Sequence, residues 1–264
     1  MKTFAILILP SCFILISQNI SAQVDVNNNE LQDGIYQNHD STRFVEHKSM
    51  VKTAGAKNES TSSTGANNFD AKAFIAPAAF VAYGFTSLSN GPSRQLNKNI
   101  CYEVKEDLPG FKTTVDNYLK YAPMVTTYAL NIAGVKAKHR LLERTTILAV
   151  SSIVTNQIVT SLKHATHQMR PDGSTYNSFP SGHTATAFVG AEFMNQELGW
   201  HSQWYSFAGY TMSTATGMLR VANNRHWLSD VIAGAGIGIL TTKLTYWVAG
   251  KIEKKFTPQQ KISY

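Results

Sequence analysis

Cysteine is almost absent: Cys12 and Cys101 are the two in 264 residues, which excludes a small disulfide-stapled scaffold. Cys12 sits inside an amino-terminal apolar run. A chain cut after Ala22 keeps Cys101 alone and can form no internal disulfide, so cysteine usage leaves the redox compartment open. Acidic residues are also few, with 17 Asp and Glu against 24 Lys and Arg and a formal charge of +7. That balance favours anionic partners (phosphates, anionic lipid or nucleic acid) without choosing among them. No nucleic-acid-binding signature accompanies it, so no nucleic-acid partner is expected. Runs able to cross a bilayer are marginal. Thr145 to Leu162 and Ser202 to Leu219 each go 18 residues without a charge, near the minimum for a span, and their Ser and Thr content would equally suit a soluble core helix. The mean hydropathy of −0.16 is low for a protein made mostly of spans. Long alternating patterns and internal repeats are missing too, which argues against a sheet or a solenoid.

The chain divides into four parts. Residues 1–22 have the form of a secretory signal: Lys2, the apolar run Phe4 to Ile16, then Ile20-Ser21-Ala22 as a small-residue cleavage site. An uncleaved anchor is the alternative. Residues 23–68 are rich in Asn, Ser, Thr, Gly, Asp and Lys with no periodicity, a composition expected to stay disordered because it cannot bury enough surface to offset chain entropy. Residues 69–250 alternate apolar stretches with polar joints and predict an all-α bundle, associated with a membrane. Its helices are expected over Ala71–Leu88, Tyr121–Val135, Thr145–Leu162, Thr184–Gly199, Trp204–Leu219 and Val231–Gly250, with Pro77 and Pro123 kinking or beginning helices. Glu192 and Glu197 make the segment after His183 look amphipathic. Residues 251–264 are a basic tail.

The basic loop Lys136, Lys138, Arg140, Arg144 and the tail Lys251, Lys254, Lys255, Lys261 would both be cytoplasmic by the positive-inside rule. Lys163, His183 and His226 then fall on the outer face. An exported amino end followed by a span at Ala71–Leu88 inverts that orientation. Either that stretch does not span, or the bundle is an exported domain docked on the membrane.

Three polar clusters punctuate the bundle. In Lys163-His164-Ala165-Thr166-His167-Gln168-Met169-Arg170-Pro171 the two cations lie about two helical turns apart, and Pro171 is expected to stop the helix, presenting both from one face. Arg offers a bidentate fork and Lys a point charge, which together suit an anion with several oxygens. In Pro180-Ser181-Gly182-His183, Ser181 can cap the next helix and Gly182 lets its backbone approach a ligand. Free amides at a helix start bind anions, and His183 there could donate a proton. In Arg220…His226…Asp230 the His and Asp, four apart, would share a helix face, the carboxylate binding one ring nitrogen and freeing the other as nucleophile or base. Singly, each cluster reads as well as a solvated helix end, an ordinary cap or a structural pair. Jointly they form a phosphoryl-transfer site that needs no metal or other cofactor. A metal site built from His164, His167, His183 and Asp172 or Asp230 is the competitor, opposed by three nearby cations that would repel a divalent ion.

The order and spacing resemble the tripartite signature of the type 2 phosphatidic acid phosphatase superfamily, which also holds bacterial acid phosphatases and vanadium haloperoxidases. Every key position is matched across roughly residues 115–250; the departure is Gly217-Met218-Leu219 where a small residue often adjoins the Arg. The resemblance implies that His226 attacks phosphorus and Asp230 orients it. It further implies that His183 protonates the leaving oxygen and then activates water, while Lys163, Arg170, Arg220, Ser181 and the Gly182 amide hold the phosphate. His164, His167, Asn224 and Arg225 fall outside the signature and read as substrate-side or structural, the structural reading being favoured. The expectation is an exported phosphatase at the periplasmic face of an inner membrane. Its substrate is a phosphomonoester or diphosphate, most naturally of a lipid: lipid A phosphate, polyprenyl diphosphate, phosphatidic acid or phosphatidylglycerophosphate. A soluble broad-specificity acid phosphatase on small phosphoesters, a haloperoxidase, and a non-catalytic anion- or lipid-binding protein are the rivals.

Overall fold

The computed structural model describes residues 71–256. The expected signal 1–22, the leader 23–68 and the end of the tail lie outside the described residues. Eight helices follow in order: α1 Lys72–Thr86, α2 Pro92–Asp107, α3 Asp116–Leu119, α4 Ala122–Ile132, α5 Leu141–Thr166, α6 Gly182–Leu198, α7 Gln203–Ala222 and α8 Leu228–Phe256, with no strand among the described residues. Local chemistry sets several boundaries. Pro92 and Pro123 stand in the first turns of α2 and α4, where a missing N–H costs nothing. Ser181 caps α6 by accepting from Thr184 N, and Ser202 caps α7 by accepting from Trp204 N. Helices α2 and α3 were not expected, because their sequence is polar and short of apolar periodicity.

Helix α6 is the axis of the bundle, with α4, α5, α7 and α8 packed around it. Its apolar side chains Phe188, Val189, Phe193, Met194 and Leu198 are buried. The expected amphipathic character is corrected here: Glu192 and Glu197 are wholly buried. Each carboxylate is satisfied internally, which is what makes burial tolerable. Glu192 pairs with Lys243 Nζ at 3.0 Å and accepts from Tyr210 Oη and Gln196 Nε2. Glu197 accepts from His139 N and Tyr246 Oη at 3.0 and 2.6 Å, and meets His139 Nδ1 at 2.8 Å.

Helix α8 runs beside α6 and is gripped on its other face by α1. A Cβ at Gly234 would stand 2.6 Å from Ser181 O, and one at Gly238 2.4 Å from Ala185 O. Only glycine permits this approach, and it draws the starts of α6 and α8 together: Ser181 N donates to Asp230 O at 3.0 Å.

Two helices among the described residues, Leu141–Thr166 and Leu228–Lys255, are long and apolar enough to cross a membrane, each holding an 18-residue stretch of mean hydropathy 1.3. The second is α8 rather than the expected Ser202–Leu219 run, whose Ser, Thr and Gly dilute α7. Helix α5 turns Leu142, Val150, Ile153, Val154 and Ile158 outward, with Ile153 62% exposed, an apolar face that suits lipid. The basic residues before α5 and at the end of α8 share one end of the bundle. Residues 163, 183 and 226 share the other. Helix α1 runs antiparallel to α8, with Gly84 on Ala233 and Pro77 on Gly236. Its 15 described residues are about 22 Å long.

Candidate active site

Four helix ends meet at the site: the last turns of α5 and α7 and the first turns of α6 and α8. Lys163 comes from α5, its Nζ donating to Asn177 O at 2.5 Å and Ser178 O at 3.4 Å. Arg170 does not share its helix, a correction to the expected geometry. Helix α5 stops at Thr166, four residues before Pro171 is reached. There His167 takes a left-handed backbone, φ 45°, with its N–H on Lys163 O. Arg170 instead reaches the site from the loop between α5 and α6. That loop is pinned by Arg170 N to Thr175 O (3.0 Å), Ser178 N to Gln168 O (2.9 Å) and Trp227 Nε1 to Met169 O (2.8 Å).

Arg220 lies buried in the last turn of α7. Its Nη1 pairs with Asp116 Oδ2 of α3 at 2.6 Å. The Nε atoms of Arg170 and Arg220 are both buried without a hydrogen-bond partner among the described residues. A guanidinium N–H is a strong donor, so both groups could bind an anion's oxygens. Arg225, outside the signature, pairs with Asp172 at 3.2 Å.

His226 precedes α8 rather than sharing a helix with Asp230, correcting the expected helical face. The chain between Asn223 and Trp227 is a turn, and Asp230 Oδ2 caps the new helix by accepting from Trp227 N at 2.9 Å. Ser178 Oγ donates to the same oxygen at 2.5 Å. His226 Nδ1 stands 3.6 Å from Asp230 Oδ2, an ion-pair separation longer than a hydrogen bond; such contacts often tighten only with substrate bound. With Nδ1 turned to the carboxylate, Nε2 is the nitrogen left for chemistry. His226 is 2% exposed. Burial lowers its pKa to about 4 against the pull of Asp230, and Lys163 and Arg220 push the same way as burial. The ring is therefore neutral, with a free lone pair, across physiological pH.

His183 lies in the first turn of α6, half-buried, with Nε2 on Asn117 Oδ1 at 2.8 Å. Burial, then Arg220 and Lys120, lower its pKa to about 3. A dianion binding among these cations would offset the last two effects and raise it. Ser181 is wholly buried, and its hydroxyl lies 2.9 Å from Thr184 Oγ1, so it is engaged in the helix cap. Gly182 opens the first turn, its α-carbon facing Val159.

The structure thus gathers Lys163, Arg170, Gly182, His183, Arg220, His226 and Asp230 around one end of α6. His164 and His167 are exposed, and among the described residues no three His, Cys, Asp or Glu side chains converge as a metal site. A shallow cleft lies against His226, walled by Ile100, Cys101, Pro171, Val221 and Trp227. Sequence reasoning missed Asp116, Asn117 and Ser178, which hold Arg220, His183 and Asp230. Asp116 and Asn117 fall in a polar joint without periodicity; only the nearness of Ser178 to Pro180-Ser181 pointed to the site.

Residues 144–254 match the sequence profile of the PAP2 superfamily. A curated relative, the lipid A 1-phosphatase of Porphyromonas gingivalis, is 39% identical over 143 residues, covering 54% of this chain and 32% of its own length. This chain therefore spans about a third of that relative. Two crystal structures are similar. One is a transmembrane PAP2-type phosphatidylglycerolphosphate phosphatase from Bacillus subtilis (TM-score 0.47, 15% identity, 70% of this chain and 100% of that one). The other is LpxE from Aquifex aeolicus (TM-score 0.42, 20% identity, 54% and 92%).

Proposed function

We propose that this chain, whose residues 144–254 match the PAP2 superfamily profile, is a phosphatase acting on a phosphorylated membrane lipid through a phosphohistidine. The observation that carries this reading is the pair of buried guanidinium Nε atoms of Arg170 and Arg220, without a hydrogen-bond partner among the described residues, beside a neutral buried histidine that faces a carboxylate. Binding alone would need the cations. It would not need His226, Asp230 and His183.

In the first step His226 Nε2 donates its lone pair to phosphorus, and the P–O bond to the leaving group breaks. Its electrons go to the leaving oxygen, which takes a proton from His183. Asp230 stabilises the positive charge that develops on His226. In the second step His183 accepts a proton from water, whose oxygen attacks phosphorus. The P–N bond breaks, His226 recovers its lone pair, and inorganic phosphate leaves. Lys163, Arg170, Arg220 and the amides opening α6 hold the phosphate oxygens throughout, so protein cations supply the charge stabilisation.

The outward apolar face of α5 supports a membrane setting, and the lipid A 1-phosphatase relative supports a lipid phosphate. The basic end opposite the site supports an outward-facing site, at the periplasmic surface of an inner membrane. The candidate esters are lipid A phosphate, polyprenyl diphosphate, phosphatidic acid and phosphatidylglycerophosphate. Phosphate release by the full chain in detergent, with EDTA in excess, is the test. Lipid phosphates should be cleaved faster than a small soluble ester, and His226→Ala should abolish release. Equal cleavage of a soluble ester would favour a broad-specificity acid phosphatase, and release stopped by EDTA would contradict the mechanism.

A further inference from the structure

Helix α3 lies outside the matched domain, yet its first two residues touch two members of the site. Asp116 is 1% exposed and pairs with Arg220. Its Oδ1 also accepts from Asn223 Nδ2 at 3.3 Å. Asn223 grips the backbone ahead of α3 in both senses, its Oδ1 accepting from Thr113 N at 2.8 Å and its Nδ2 donating to Thr113 O at 2.9 Å. The short helix is thereby fixed to the end of α7, and the next residue, Asn117, is delivered to His183 at 2.8 Å.

From this geometry we propose that Asn117 is the positioning residue of His183, holding one ring nitrogen so that the other serves the phosphate in both half-reactions. A carbonyl oxygen can only accept, so His183 Nε2 carries a proton and Nδ1 is the nitrogen that exchanges one. In the neutral ring Nδ1 accepts from water; in the cation it donates to the leaving oxygen. Nε2–H stays on Asn117 in both states. The ring can therefore alternate between acid and base without losing its partner or its orientation, which is what a two-step transfer through one histidine requires. The other titratable or charged groups facing His183 are Asp116 and Lys120 from the α3 segment, Arg220 from α7 and the neutral His226 ahead of α8.

This inference rests on the phosphatase reading, and kcat/KM on esters of different leaving groups separates the two. An alkyl phosphate needs its leaving oxygen protonated, whereas 4-nitrophenyl phosphate does not. Because kcat/KM reports steps through P–O cleavage, Asn117→Leu should lower it about 10- to 100-fold for the alkyl ester, within the usual worth of general acid catalysis, and by less than about threefold for the aryl ester. Asn117→Asp keeps an acceptor on Nε2, so it should retain most of the alkyl activity and move the basic limb of the pH profile upward by stabilising the imidazolium. Equal losses on both esters, or no loss on the alkyl ester, would overturn the assignment while leaving the phosphatase reading intact. Should Asn117→Leu fail to fold, the limb for Asn117→Asp decides alone, and an unmoved limb counts against the proposal. Wild-type protein inert on both esters and on the lipid phosphates above would sink both readings.

Discussion

Replacing Asp230 by Asn isolates the charge that the mechanism assigns to it. The carboxylate is wholly buried, and its Oδ2 accepts from Ser178 Oγ and Trp227 N. An amide oxygen can accept both, so the cap on α8 and the turn that presents His226 should survive. What disappears is a full negative charge 3.6 Å from His226 Nδ1. His226 is neutral at rest and gains positive charge only as the P–N bond forms, so the carboxylate acts on the transition state more than on the ground state. Two unit charges about 4 Å apart at an effective dielectric near 20 interact by about 4 kcal/mol. At about 1.4 kcal/mol per decade, kcat should fall roughly a thousandfold, while KM changes little. Single-turnover phosphate release measures this, with thermal unfolding as the control for folding. A variant within tenfold of wild-type kcat and equally stable would refute the assignment of charge stabilisation to Asp230.

Gly238→Ala places a Cβ 2.4 Å from Ala185 O, and should destabilise the bundle by about 1–3 kcal/mol through overpacking, read as a lower midpoint in denaturant. His226 and His183 have pKa values lowered to about 4 and about 3 from 6.5, so below pH 6.5 the unfolded chain binds protons that the native chain refuses. Stability from these two groups is full above pH 6.5 and is lost as pH falls toward 4 for His226 and toward 3 for His183. His226→Asn should therefore show a shallower loss than wild type across that window, and an identical slope would contradict the burial argument. Ile153→Lys puts a charge on the outward face of α5, at about 2.5–3.5 kcal/mol for insertion at a span's centre. The variant should leave the membrane fraction more readily on alkaline carbonate extraction, and unchanged partitioning would mean that α5 does not face lipid.

Much of the bundle was legible because long apolar segments have a strong signal. The six expected stretches all became helices, and the three clusters named the residues that gather at one end of α6. The misses have a common physical origin. Pro171 looked like the stop for α5, yet the chain leaves the helix at His167, whose left-handed backbone nothing in the spacing announced. Glu192 and Glu197 looked solvated because carboxylates usually are, and only their partners Lys243, Tyr210, His139 and Tyr246, distant in sequence or on other helices, make burial stable. Asp116 and Asn117 were invisible for the same reason. They act over 104 and 66 positions of sequence, and a single chain shows no pairing across such distances.

The central claim is the covalent intermediate, and the most direct test is to trap it. Full-length protein mixed with a substrate labelled in its phosphate and quenched at high pH should carry an acid-labile, base-stable label on the peptide containing His226. The label should be absent in His226→Ala and, with an aryl phosphate whose leaving oxygen needs no proton, accumulate in a variant of His183, which activates the water of the second step. Label on no peptide under single-turnover conditions that release phosphate, or label on a residue other than His226, would contradict the account.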